Sequence, residues 1–171
     1  MAHRHNHYEA AFEDYLRGKG WPYVAVDEAK KAIFANASLK SFDFVVYSST
    51  GANLLVDVKG RKFPGPAGGG KASRTWENWI TRQDVDGLSQ WQEVFGSGFT
   101  AVLVFAYWLQ CPPHRAPLGD LHVFRRRHYA FLGIGLDDYL TAAKPRSAKW
   151  QTIAMPARLF ARKAADIASF L

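Results

Sequence analysis

Phe42-Asp43-Phe44-Val45-Val46-Tyr47 and Leu54-Leu55-Val56-Asp57-Val58-Lys59 are two runs rich in β-branched and aromatic residues, separated by Ser48-Ser49-Thr50-Gly51-Ala52-Asn53. The intervening composition is that of a turn, so the segment reads as a β-hairpin. Residues two apart on a strand share a face. Asp57 and Lys59 therefore point the same way, with Leu55 behind them, while Leu54, Val56 and Val58 cover the opposite face. A register in which paired residue numbers sum to 100 centres the turn on Thr50 and sets Asp43 opposite Asp57, their Cβ atoms about 5 Å apart. Two carboxylates then lie side by side with a lysine one step along. Adjacent carboxylates repel, and an apolar sheet makes them costlier. A divalent cation relieves this, and Mg²⁺ is commonly held by one or two protein carboxylates plus water.

The same kind of reading extends outward. Tyr8, Ala11, Phe12, Tyr15 and Leu16 form a helical stripe from about His7 to Gly18, stopped by Gly18 and Gly20. Tyr23 to Val26 reads as a short strand, and residues 28–36 fit a helical turn or a strand equally. Residues 60–78 read as a long loop, with five Gly and two Pro from Gly60 to Gly70. Asp84 to Phe95 reads as an amphipathic helix with Val85, Leu88, Trp91 and Phe95 inward. Thr100 to Leu109 is the most apolar strand and therefore central. Leu121 to Arg125 and Tyr129 to Ile134 read as strands joined by a basic turn, and Asp137 to Ala143 as a short helix. Lys149 to Ala154 reads as a last strand, and Ala157 to Leu171 as a closing helix with Leu159, Phe160, Ala164, Ile167 and Leu171 on one side. This order describes an α/β sandwich, a mixed central β-sheet flanked by helices.

The chain has 171 residues, 48% of them hydrophobic and 15% aromatic. One domain over residues 1–171 is expected, and wholesale disorder is excluded. The balance of 22 Lys and Arg against 15 Asp and Glu gives +7 and a pI near 9.6, which favours a polyanionic partner. Cys111 is the only cysteine, which leaves no intramolecular disulfide and no paired-cysteine zinc site. The apolar run Phe99 to Leu109 is too short to span a bilayer. The opening MAHRHNHYEAAFEDY has no apolar signal core, so a cytoplasmic protein is expected. His3, His5 and His7 alternate as chelators can, but no partner ligand is visible, and a solvated chain end is the simpler reading.

Asp43, followed on the next strand by Asp57-x-Lys59, resembles the signature of the PD-(D/E)XK nuclease superfamily. A first helix, three strands, a second helix and a fourth strand match that superfamily's order. The layout is closest to its Holliday-junction-resolvase-like and restriction-endonuclease-like branch. There, a first-helix glutamate stands about three turns before the helix-ending glycine, as Glu9 stands 11 residues before Gly20. The resemblance covers residues 7–109, and residues 110–171 would complete the domain. Phe42 departs from the family pattern, standing where that pattern has proline. The resemblance implies Mg²⁺- or Mn²⁺-dependent hydrolysis of DNA, endonucleolytic before exonucleolytic. Asp43 and Asp57 would hold the metal, and Lys59 would orient the water or stabilise developing charge. Glu9, rather than Glu13, would be a third acid, because Glu9 lies at the edge of the buried stripe. Gln92, rather than Gln90, would be the polar side chain that members often carry on the second helix. A homodimer is expected by the same analogy. Substrate shape, and RNA as a substrate, stay open.

Gly65-Pro66-Ala67-Gly68-Gly69-Gly70-Lys71 begins like a phosphate-binding P-loop, but Ala72 stands where Ser or Thr should hold Mg²⁺. The better reading is a loop beside the site, with Arg61, Lys62, Lys71 and Arg74 towards a phosphate backbone and Trp76 or Trp79 stacking on a base. Arg125, Arg126 and Arg127 form the densest basic cluster, as phosphate contacts or as a solvated turn. Two other classes fit the residues: a non-catalytic nucleic-acid-binding module of the same fold, and a structural or interaction domain in which Asp57 and Lys59 simply pair.

Overall fold

Residues 101–107 are buried throughout, and their alternation sorts them into two cores. Leu103, Phe105 and Tyr107 join Leu55, Phe63 and Leu88 on one face of the sheet. Val102, Val104 and Ala106 join Val56, Val58 and Phe12 on the other. A strand covered on both faces belongs in the middle of its sheet. The computed structural model describes residues 6–26, 40–66 and 76–171. The expectations for residues 28–36, Lys71, Arg74, His3 and His5, and for most of the Gly65–Lys71 segment, lie outside them.

In chain order the elements are α1 (His7–Lys19), β1 (Tyr23–Ala25), β2 (Phe44–Val46), β3 (Asn53–Phe63), β4 (Ile80–Thr81), α2 (Arg82–Phe95) and β5 (Phe99–Leu109). There follow β6 (Leu121–Phe124), β7 (Arg127–Gly135), α3 (Leu136–Leu140), β8 (Lys144–Ser147), β9 (Thr152–Ala154), α4 (Ala157–Lys163) and β10 (Ala165–Asp166). The main sheet runs β1-β2-β3-β5-β7-β10, with β6 also on β7. Among the described residues only β3 and β5 pair in parallel, so the sheet is mixed. α1 lies on the Val56 face, and α2, α3 and α4 lie on the Leu55 face. The fold is the expected α/β arrangement of a mixed sheet flanked by helices.

The hairpin register is the one the turn requires. Phe44 pairs with Val56, Val45 with Leu55 and Val46 with Leu54, each summing to 100. α1 also forms as read, burying Ala11, Phe12, Tyr15 and Leu16. The Asn6 side chain caps it by accepting from the Tyr8 N–H, and Gly20, at φ 71°, donates to the Arg17 carbonyl.

Four readings change. β3 does not give way to a loop at Gly60 but runs to Phe63, because β5 pairs alongside it as far as Leu109. The expected loop thus begins after Phe63. Lys144–Ser147 is a strand, and with β9 and β4 it makes a second, three-stranded sheet. The closing helix ends at Lys163, where Ala164 turns extended (φ −71°, ψ 140°) so that Ala165 and Asp166 can pair with β7. Phe95, read as inward, is 37% exposed.

α2 lies close to the chain that enters the hairpin, and Gly87 allows it. A Cβ there would fall inside the Lys40 carbonyl oxygen, which also accepts from the Trp91 indole N–H at 3.2 Å. Gly to Ala in a helix interior ordinarily stabilises by up to ~1 kcal/mol. Here the sign reverses: Gly87→Ala is expected to destabilise by about 1–3 kcal/mol, because backbone must move. A urea melt of the variant checks this, and a gain in stability would contradict the close packing.

Candidate active site

β3 carries three successive polar side chains on the face that is otherwise apolar and covered by α2. These are Asp57, Lys59 and Arg61, following Leu55. Asp57 is 5% exposed. β2 ends its pairing at Phe44 opposite Val56, which leaves the edge of β3 beyond that point without a β2 partner.

Asp43 sits where this open edge begins. Its N–H donates to the Val56 carbonyl at 2.8 Å, and its carboxylate accepts from the Val58 N–H at 2.7 Å. It thus bonds to both chain neighbours of Asp57. Burial, then the negative charges of Asp57 and Glu9, push the Asp43 carboxyl up to about 8. Asp57 is also raised, mainly by burial, with Lys59 opposing.

Lys59 is clamped. Its Nζ lies 2.7 Å from Asp57 Oδ2 and 2.9 Å from Asp84 Oδ1. Burial would strip its proton, but the charges of Asp57 and Asp84 outweigh that and raise it. Asp84 was not anticipated. It is the third residue of α2, accepts from the Thr81 N–H at 2.8 Å, and pairs with Lys40 as well. Burial works against its charge, but Lys59, Lys40 and the Thr81 amide hold its carboxyl well below the usual range. The signal in the sequence was Thr81-x-x-Asp84 at the start of an apolar stripe, a capping box that sets an acid at a known place on the first turn.

With Glu9, four carboxylates face two ammoniums among the described residues. Lys59 is shared between Asp57 and Asp84, and Lys40 pairs with Asp84, so the carboxyl groups outnumber the ammoniums and, among the described residues, Asp43 is left without a cation against it. Glu9 acts on Asp43 through space, and its side chain accepts from the Asn6 amide. Glu13 instead accepts from the Tyr23 hydroxyl and pairs with Arg17. Gln92 accepts from the Ala101 N–H, and Ala101 is beside Leu55 rather than Asp57. Its oxygen therefore fastens α2 to β5. Among the described residues no three His, Cys, Asp or Glu side chains already form a metal cage. Two carboxyl groups whose charged forms burial disfavours, with a third acid within electrostatic reach, nevertheless suit Mg²⁺ or Mn²⁺, which keep several waters.

The raised Asp43 gives a pH test. Between the unperturbed 3.8 and about 8, the folded protein holds a proton that the unfolded chain releases, so this group lowers stability as pH rises through that window. Asp43→Asn is expected to melt higher than the wild type at pH 8 in EDTA, by a few kcal/mol at most, with the two curves converging towards pH 4. Asn still offers an oxygen to Val58. A variant that melts lower at every pH would contradict the raised carboxyl.

No family model matches the chain, and no curated protein matches it. Among solved structures, the chain superposes on Archaeoglobus fulgidus Hjc, a Holliday junction resolvase from an archaeal hyperthermophile, with a TM-score of 0.55. The match covers 96% of this chain and 97% of that one at 13% identity. The chain has the fold of a Holliday junction resolvase.

In this resolvase-like fold the other basic residues fall in different places. Arg61 is not on the surface. It is 9% exposed, donates to the Gly60 and Trp79 carbonyls, and lies 4.2 Å over the Trp79 ring. It cannot grip a phosphate backbone. Lys62 and Arg127 flank the Trp108 ring at 5.6 and 4.4 Å. The His7 Nδ1 bonds to the Tyr129 hydroxyl at 2.8 Å, so that ring is committed to packing. Arg125 and Arg126 form the β6–β7 turn at φ 46° and 63°, left-handed positions that usually fall to Asn or Gly. No helix of the described residues is long and apolar enough to cross a membrane.

Proposed function

We propose that this chain is a metal-dependent nuclease that hydrolyses phosphodiester bonds in DNA, acting endonucleolytically. The observation that carries the reading is geometric: Asp43 bonds to both chain neighbours of Asp57, and the Lys59 ammonium lies 2.7 Å from Asp57, which gathers two carboxyl groups beside one lysine. Asp43 and Asp57 would hold Mg²⁺ or Mn²⁺, with Glu9 as a further acid. Bound there, the dication would polarise the scissile phosphate and lower the pKa of a water.

The chain's own residues supply the rest. Lys59 has its proton secured by Asp57 and Asp84, so it donates to a developing oxyanion rather than acting as a base. Asp84, itself paired with Lys40, holds that ammonium in place. The likeness to Hjc supports a nuclease at the level of the fold.

The test is cleavage of labelled linear duplex, single strand, flap, four-way junction and RNA with Mg²⁺, Mn²⁺ or EDTA. Cleavage of at least one DNA is expected with metal and none with EDTA. Nucleic-acid binding that persists in EDTA with no cleavage under any metal would replace this reading with the non-catalytic binding module.

A further inference from the structure

Of the six tryptophans, all within the described residues, only Trp150 is exposed, at 69%. It sits at the tip of the β8–β9 hairpin, in a turn where Gln151 adopts φ 47° and the Trp150 N–H is held by the Ser147 hydroxyl at 3.3 Å. The Lys149 ammonium lies 5.2 Å over its ring. A single exposed aromatic needs no explanation by itself. The surroundings of this one do.

The tip is fastened to the candidate active site. The Arg82 N–H donates to the Gln151 carbonyl at 2.9 Å, and Arg82 opens α2, two residues before the Asp84 that clamps Lys59. β9 pairs with β4 directly ahead of that helix, Thr81 with Thr152. Exposed cations follow the hairpin away from the tip. Arg82 and Lys149 are near Trp150, and Arg146 and Lys144 lie on β8, about 10 Å along it. At that far end, Arg146 and Lys144 line a cavity of about 560 Å³ together with Trp76 and Trp79. Arg146 lies 5.4 Å over the Trp79 ring and pairs with Glu77 at 3.4 Å.

We infer that the β8–β9 hairpin binds an unpaired, single-stranded segment of the nucleic-acid substrate, with one base stacked on Trp150 and the backbone running along Arg82, Lys149, Arg146 and Lys144. Regularly placed cations meet a phosphodiester chain, and an exposed indole meets an unpaired base, whereas a base within a duplex has no free face to offer. The inference rests on the nuclease reading for the identity of the substrate, and it adds the substrate's shape: DNA with unpaired nucleotides next to the scissile phosphate.

The test is binding in EDTA, where the proposed chemistry is silent, by fluorescence anisotropy of a labelled single strand, a fork and a linear duplex of the same sequence. Trp150→Ala is expected to weaken single-strand and fork binding roughly 5- to 100-fold, leave the duplex unchanged, and be largely rescued by Trp150→Phe. Lys144→Ala with Lys149→Ala should flatten the salt dependence of single-strand binding. The exposed position of Trp150 makes misfolding a poor explanation of a loss, and an unchanged melting temperature documents that. Unchanged single-strand affinity in Trp150→Ala, or an equal loss on the duplex, would overturn the inference. Metal-dependent cleavage by the wild type is scored separately. Cleavage without a role for Trp150 keeps the nuclease and discards the hairpin, and binding through Trp150 without cleavage does the reverse.

Discussion

Asp57→Asn and Lys59→Ala each lower metal-dependent cleavage by at least ~100-fold, the scale of removing one preorganised group aimed at transition-state charge. The two substitutions fail for different reasons, and their melting curves tell them apart. Asp57 is buried, and its carboxyl is already raised. Asparagine there removes a costly charge and leaves Lys59 paired with Asp84. Asp57→Asn should therefore melt no lower than the wild type in EDTA. The Mg²⁺-induced rise in melting temperature expected of the wild type should disappear with it, because a cation that binds the native state stabilises by mass action. Lys59→Ala keeps the carboxylates for the metal but leaves Asp57 without its ammonium and Asp84 with Lys40 alone. It should melt lower in EDTA and recover part of the loss when Mg²⁺ is added. Cleavage by Asp57→Asn at the wild-type rate would remove the basis for the proposed site.

The Asp57–Lys59 arrangement was legible because a strand has a period of two and a turn has a centre. Those two facts set Asp57 and Lys59 on one face, and Thr50 at the middle of the turn set the register. What they miss is the chain's path beyond pairing. Asp43 leaves the ladder and turns its carboxylate onto the Val58 amide, a detail no register supplies. Arg61 reads as a surface cation by type, but the period that buries Asp57 also buries Arg61 once β3 is known to continue. That continuation depends on β5, more than forty residues away in sequence, and nothing in Gly60-Arg61-Lys62-Phe63 announces it.

The C-terminal third hid for related reasons. Lys144-Pro145-Arg146-Ser147 has no apolar alternation, and it is a strand because an edge position tolerates proline. The stripe through Phe160, Ala164 and Ile167 fits a helix, yet Phe160 belongs to the core on the α2 face and Ile167 to the core on the α1 face. One straight helix cannot serve both. The chain crosses at the edge of the sheet, and β10 is that crossing.

Asp84 was the larger omission, and its replacement is expected to have the largest effect on stability. Its side chain is 3% exposed and answers both Lys59 and Lys40. Breaking a buried pair by removing one partner costs ~3–5 kcal/mol, and because Lys59 keeps Asp57 and Lys40 is half-exposed the low end, about 3 kcal/mol, is expected here. In a chain of this size that corresponds to a fall of roughly 10 °C in melting temperature. Asp84→Asn isolates the charge, because the amide oxygen can still accept from the Thr81 N–H and preserve the cap. Asp84→Ala also loses the acceptor for the Thr81 N–H and should cost about 1 kcal/mol more. The pH dependence has a definite sign. A carboxyl held below its ordinary 3.8 contributes its stability fully above that value and loses it as pH falls through the folded pKa. The gap between wild type and Asp84→Asn should thus be widest at neutral pH and close in strong acid, opposite in direction to the Asp43→Asn gap. Cleavage should suffer less in Asp84→Asn than in Lys59→Ala, because Asp84 positions the ammonium without donating to the substrate. Equal stability of Asp84→Asn and wild type at pH 7 would mean that Lys59 is not held by this carboxylate. The case for Lys59 as a fixed, protonated donor would then rest on Asp57 alone.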